Sequence, residues 1–190
     1  VSGNSVRLLQ NGEYFDELFE AIRGARRSVS IETFLSKEGR VTSGLAELLA
    51  AKSREGVEVR LMLDGSGGRK FGKEALRTIT EAGCTVQRYH PITLGNLGRI
   101  NNRTHRKIAV IDGKTGFVGG HCLVDSWLGN AEDKKHFRDI SARVEGPVVA
   151  QLQSAFLDNW MEECGEAPAG EALFPELQSA GTSEAHVVYV

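Results

Sequence analysis

Apolar residues recur along this chain in two rhythms, one of three to four residues and one of two, and their alternation outlines a layered fold. Phe15, Leu18, Phe19 and Ile22 fall at helical spacing, as do Leu45, Leu48 and Leu49 after Thr42 or Ser43, either of which can cap a helix start. Between them Ser28 to Phe34 reads as a strand, and Val57 to Leu63 as a second. Lys73 to Ala82 then reads as a helix closed by Gly83, and Thr85 to Tyr89 as a third strand. Strands joined by helical crossovers run parallel, carry helices on both faces and receive ligands at their ends.

The second half changes rhythm. Arg106 to Asp112, a Gly113-Lys114 turn, Gly116 to Val118 and Ile140 to Val144 read as strands with short connections. The expectation is therefore an α/β fold whose sheet is mixed but mostly parallel. Pro147 opens a helix that puts Val149, Leu152, Phe156 and Trp160 on one face and ends at Gly165. From Gly165 to Glu184 the chain is rich in Gly, Ala, Pro, Ser and Glu, the composition of a linker, and His186 to Val190 reads as the start of a further strand. No internal repeat of useful length is visible.

At 190 residues the chain is about one domain, large enough to bury roughly 70% of its unfolded surface. Its 25 acidic and 23 basic residues give a net charge of -2, which offers no overall attraction for nucleic acid, so any basic patch is local. Cys84, Cys122 and Cys164 lie far apart without metal-like spacing and read as buried small apolar residues. No apolar run is long enough to cross a bilayer, and the first residue is Val1 rather than methionine, so the chain reads as trimmed.

The chemistry concentrates in Thr104-His105-Arg106-Lys107-Ile108-Ala109-Val110-Ile111-Asp112, followed by Gly119-Gly120. On an extended segment residues 105 and 107 share one face, while Ile108 and Val110 on the other can enter a core. An imidazole is a competent nucleophile near neutral pH, and an ammonium beside it can neutralise the oxygens around a phosphorus. Asp112 lies too far along the strand for direct chemistry and reads as an anchor for the turn before Gly113. Gly119 and Gly120 let backbone approach a phosphate with no Cβ in the way. Arg99, Arg103 and Arg106 form a local cationic cluster suited to an anionic head group or a phosphodiester backbone, although Arg99 reads equally as a solvated loop residue. Glu32, on the first strand, is read as reaching toward the pocket edge.

The spacing of His105, Lys107 and Asp112 resembles the His-x-Lys-x-x-x-x-Asp motif of the phospholipase D superfamily. The likeness continues through Asn11-Gly12-Glu13-Tyr14-Phe15, Ser30-Ile31-Glu32-Thr33-Phe34, Leu63-Asp64-Gly65, Phe137-Arg138-Asp139 and Val144-Glu145-Gly146-Pro147, in the manner of cardiolipin synthase-type members. It implies one phospholipase D-like unit over residues 1–165, with 166–190 leading into a second half not contained in this chain. It also implies a glycerophospholipid substrate, a phosphohistidine on His105, Lys107 stabilising the transition state, and Asp139 orienting the imidazole. No metal or other cofactor is implied. The partners implied are a second histidine-lysine half and a membrane surface, with no specific nucleic acid, and the complete protein would sit at a bacterial cell envelope, often through an amino-terminal anchor.

The resemblance has one departure: family members commonly place asparagine where this chain has Cys122, after His121, and a thiol is a weak donor. His121 itself reads as an exposed loop residue. His90, His121, His136 and His186 each lack a lysine two residues on, so the motif occurs once. Gly67 to Lys73 has the look of a nucleotide-binding loop, but Glu74 follows where a magnesium-binding hydroxyl is needed, so it reads as a crossover loop. Two other readings stay open: a homodimeric nuclease of the same superfamily, and an inactive scaffold.

Overall fold

In the computed structural model, residues 1–91 and 103–188 are described. The elements in chain order are β1 (Ser5–Gln10), α1 (Glu13–Gly24), β2 (Ser28–Thr33), α2 (Arg40–Arg54), β3 (Glu58–Asp64), α3 (Lys73–Glu81), β4 (Thr85–Tyr89), β5 (Ile108–Ile111), β6 (Thr115–Gly119), β7 (Ile140–Glu145) and α4 (Val148–Cys164). The seven strands form one sheet in the order β1-β7-β6-β5-β2-β3-β4. The sheet is mixed, but its parallel part is confined to β2-β3-β4, where helical crossovers force that direction. The pairings of β1 with β7, β2 with β5, β5 with β6 and β6 with β7 are antiparallel, so the parallel share is smaller than the sequence suggests.

Period-two alternation sorts the core onto both faces. Val29, Ile31, Ala109 and Ile111 face a cluster built with Phe15, Leu18 and Ile22 of α1, Leu45 and Leu49 of α2 and Ile79 of α3. Ile108, Val110 and Val144 face Val149 and Leu152 of α4 on the other side, where Phe156 and Trp160 pack on Met62 and Tyr89. β2 is buried on both faces along its whole length, as a strand covered by helices above and below must be.

Several boundaries differ from expectation for local reasons. α2 starts at Arg40, ahead of Thr42, because the Asp125 carboxylate accepts the Arg40 and Val41 N–H groups at 3.0 and 2.9 Å, a cap supplied from a distant loop. β1 carries no alternation: of its six residues only Leu9 is buried, and as an edge strand it is recognisable only through its pairing with β7. β5 begins at Ile108 rather than Arg106.

The segment after α4 has a linker's composition yet packs along the domain. Leu173 is 1% exposed, the Ser28 hydroxyl donates to the Ala172 carbonyl at 2.6 Å, and Asn4 pairs with Ser183. The expected strand from His186 falls partly outside the described residues, and residues 186–188 are not in a strand. No helix among the described residues is long and apolar enough to cross a membrane.

Candidate active site

The segment that leads into β5 is held from inside and presents its chemistry outward. Thr104 is buried and its hydroxyl donates to Oε1 of Glu32 on β2. Asn159 of α4 donates to the same Glu32 oxygen at 2.6 Å and to Thr104 Oγ1 at 3.2 Å. Arg106 also turns inward: it is half-buried, and its Nη1 donates to the Ala155 carbonyl of α4 at 2.6 Å. With 104 and 106 anchored, 105 and 107 point the other way. The His105 ring lies 4.8 Å from the Phe34 ring centroid and Lys107 Nζ lies 5.4 Å from it, so both side chains stand on one aromatic platform. Lys107 Nζ also donates to the His105 carbonyl at 2.6 Å, fixing the ammonium beside the histidine.

Burial differs sharply between the pair. His105 is exposed, whereas Lys107 is only 9% exposed. Desolvation pushes the Lys107 pKa down, and the charge of Asp139, with that of Cys122 once its thiol ionises, works against that shift. Cys122 is itself buried, which pushes its thiol pKa up.

Glu32 lies inside the protein rather than at a pocket edge. It is 1% exposed, its Oε2 has no hydrogen-bond partner among the described residues, and burial raises its pKa against the pull of Thr104, Asn159 and Arg106. It is the far end of the clamp on residue 104. Asn159 of that clamp was missed from the sequence, although a polar residue beside Trp160 on an apolar helix face was a usable signal.

The glycine pair has a packing reason of its own. A Cβ on Gly120 would lie 2.3 Å from Asp139 Oδ1, and one on Gly119 would lie 2.2 Å from Ser141 Oγ, so β7 and Asp139 occupy the space that a side chain needs. Asp139 accepts from Trp127 Nε1 and from the Ile140 N–H, each at 2.8 Å. Among the described residues no hydrogen bond joins Asp139 to His105.

His121 is not an exposed loop residue. It is 2% exposed and stacked on Tyr14 at 4.6 Å. The Asn11 carbonyl lies 2.8 Å from Nε2 and can only accept, so Nε2 carries the proton. Burial lowers the ring's pKa, leaving Nδ1 neutral and able to accept from the Ser141 hydroxyl at 2.7 Å. Its neighbour Tyr14 belongs to α1, so this histidine ties α1 to β7.

The remaining candidates separate from the site. Asp112 sits at the opposite end of β5 and accepts the N–H groups of Arg26, Arg27 and Ser28 at 2.9, 2.7 and 2.9 Å. These bonds secure the start of β2, where the sequence reading has Asp112 anchoring its own turn. Arg103 lies 3.7 Å from the buried carboxylate of Asp64. Arg99 falls outside the described residues. Among the described residues no group of three or more His, Cys, Asp or Glu side chains could hold a metal ion.

Residues 18–160 match the family described as "Cardiolipin synthase, PLD-like domain". The chain is 37% identical over 171 residues to cardiolipin synthase A of Pseudomonas fluorescens, covering 88% of this chain and 36% of the relative. It is 32% identical over 187 residues to a Staphylococcus aureus cardiolipin synthase, covering 96% and 38%. It therefore spans just over a third of the length of these relatives. The fold is similar to that of Nuc, a phospholipase D family member from Salmonella typhimurium, with a TM-score of 0.63 at 15% identity over 84% of this chain and 96% of that one. A site that presents a histidine and a lysine together, on a chain matched over most of its length, places this protein in the cardiolipin synthase, phospholipase D-like domain family.

Proposed function

We propose that this chain supplies one half of the active site of a phospholipase D-type phosphatidyltransferase or hydrolase acting on glycerophospholipid phosphodiesters. The observation that carries the reading is the pairing of exposed His105 with buried Lys107 on Phe34, with residues 104 and 106 locked to the other side. In this mechanism a His105 ring nitrogen attacks phosphorus, the bond to the leaving alkoxide breaks, and a phosphohistidine forms. The Lys107 ammonium stabilises the charge that builds on the non-bridging oxygens, and its burial strengthens that effect. Asp139 acts as a positioning residue: its carboxylate faces Lys107 electrostatically and favours the charged ammonium. Attack on the phosphohistidine by water gives hydrolysis, and attack by a lipid hydroxyl gives transfer.

The leaving alkoxide needs a proton from a group across the phosphorus from His105. A second histidine-lysine half supplies it. The sheet offers a place for that half: pairing of Leu8 with Ala142 and of Val118 with Ala142 puts these residues on the α4 face, together with Val6 and Ile140. α4 leaves Val6, Leu8, Val118 and Ile140 at 43%, 63%, 36% and 53% exposure. The patch runs to the strand ends that carry Gly119 and Asp139, on the sheet face opposite the one toward which His105 and Lys107 turn. A second reading, two copies of this chain paired about a two-fold axis, draws support from Nuc, a single chain covered to 96% by this one.

The test is product analysis with phosphatidylglycerol vesicles in the presence of a chelator. A polypeptide carrying both halves should release phosphatidic acid or form cardiolipin, and His105→Ala should abolish both. Unchanged product from the His105→Ala protein overturns the reading. Sedimentation velocity of the chain on its own separates a two-fold dimer from a monomer that needs a different half.

A further inference from the structure

The Gly67 to Lys73 loop fails as a nucleotide-binding loop, yet its cations are gathered in one place. With Lys37 from the β2–α2 connection and Arg88 from β4, residues Arg69, Lys70 and Lys73 line an open groove of about 880 Å³. Backbone pairing builds it: Lys37 bridges to Lys70, and the Glu38 N–H donates to the Lys70 carbonyl at 2.6 Å. Arg88 is aimed by its Nη1, which donates to the Gly68 carbonyl at 3.4 Å. A smaller adjoining cavity of about 280 Å³ shares Arg69 and Arg88.

The cations are unmatched. Two carboxylates, Glu38 and Glu74, also line the groove, but Glu74 is taken by Arg77 at 2.5 Å. Among the described residues no carboxylate oxygen lies within 4.0 Å of the charged nitrogens of Lys37, Arg69, Lys70, Lys73 or Arg88. Gathering five cations around two acids in a chain of net charge -2 leaves local repulsion that an anion relieves.

The groove also adjoins the candidate active site. The turn beneath it touches the platform residue, since a Cβ on Gly67 would lie 2.2 Å from the Phe34 carbonyl oxygen. Lys37 is three residues from Phe34, at most about 11 Å along the chain.

We propose that this groove docks the head-group phosphates of anionic phospholipids and so holds a membrane surface beside His105. Four of its five cations are solvent-exposed, and such a cation binds one phosphate weakly; near an anionic surface each contributes about fivefold in partition. Strong binding thus needs several phosphates at once, which a lipid surface presents and a free phosphate does not. A magnesium nucleotide is disfavoured by Glu74 at the position of the metal-binding hydroxyl. The choice of ligand rests on the phospholipid reading of the His105 site, but the groove can be tested without turnover.

The experiment is co-sedimentation of the chain with phosphatidylglycerol vesicles, with phosphatidylcholine vesicles as the zwitterionic comparison. The protein should partition onto the first and not the second. Combined Lys37→Gln, Lys70→Gln and Lys73→Gln substitutions should reduce partition by about 100-fold. Lys134→Gln with Lys135→Gln should leave it unchanged, and matching thermal melts confirm that each variant folds. Equal binding to both vesicles, full binding by the triple variant, or release by millimolar inorganic phosphate at constant ionic strength overturns the proposal. His105→Ala should bind vesicles normally, so loss of turnover and loss of docking are read separately.

Discussion

In the proposed mechanism Lys107 carries opposing demands, because the burial that would strengthen its field at a phosphate also disfavours its charge. Its pKa is lowered, so the folded protein binds fewer protons than the unfolded chain between the lowered value and the ordinary lysine value of about 10.4. Stability therefore rises with pH across that alkaline window, and the desolvation penalty is fully present at neutral pH. Lys107→Met keeps the contact with Phe34 without the charge. At pH 7 it should melt at or above the unsubstituted protein, with the difference closing as pH approaches 10, while turnover falls roughly 10²- to 10³-fold. A calorimetric series over pH together with initial rates checks both halves, and unchanged turnover removes Lys107 from the mechanism. Glu32 has the reverse sign. Its raised pKa means that the folded state holds a proton more tightly, so stability falls as pH rises above about 4.3 through the folded value. Glu32→Gln should remove that fall and melt at or above the unsubstituted protein at pH 8; equal pH profiles contradict the assignment. His105 and Lys107 were legible because alternation alone puts them on one face. His121 was not, since its burial depends on Tyr14 and Asn11, more than a hundred residues away in sequence.

At the scale of elements, the site depends on β5 being fixed at both ends. Thr104, Glu32 and Asn159 clamp the amino-terminal end across β2 and α4, and Asp112 clamps the other by collecting three backbone N–H groups. Asp112→Ala leaves those donors without their acceptor and should cost about 2 kcal/mol of stability by chemical denaturation. Turnover per folded molecule should stay near that of the unsubstituted protein, because Asp112 touches no reacting group; a selective loss of turnover would give it a chemical role. The βαβ portion was readable because each element carries its own periodicity. β1 was not, as its pairing with β7 spans most of the chain. Nor was the α2 start, whose cap comes from Asp125, 85 residues away from Arg40. Composition also misleads in the last twenty residues: Gly, Pro and Ser permit a linker, but Leu173 supplies a buried anchor that holds the segment to the domain.

At the scale of the molecule, one histidine-lysine motif and an uncovered apolar sheet face are the two features on which the proposed need for a second half rests. Leu8→Glu together with Ile140→Glu places charge on that face where α4 does not reach. These changes should leave the melting temperature of the isolated chain nearly unchanged but weaken association with a second half, lowering turnover at least tenfold in a binding-limited assay. Full turnover and association in that variant would move the docking surface elsewhere. The single copy of the motif was legible in the sequence, whereas the patch was not, because it needs the register of β1, β7 and β6 to assemble. The central claim is that His105 becomes covalently phosphorylated during turnover. Acid quenching destroys a phosphohistidine, so the direct measurement is an alkaline quench of the two-half protein turning over phosphate-labelled phospholipid, followed by peptide mapping. Base-stable, acid-labile label on His105 that disappears in His105→Asn is the predicted result. Rapid turnover with no label on His105 at any quench time, or label that persists in His105→Asn, contradicts it.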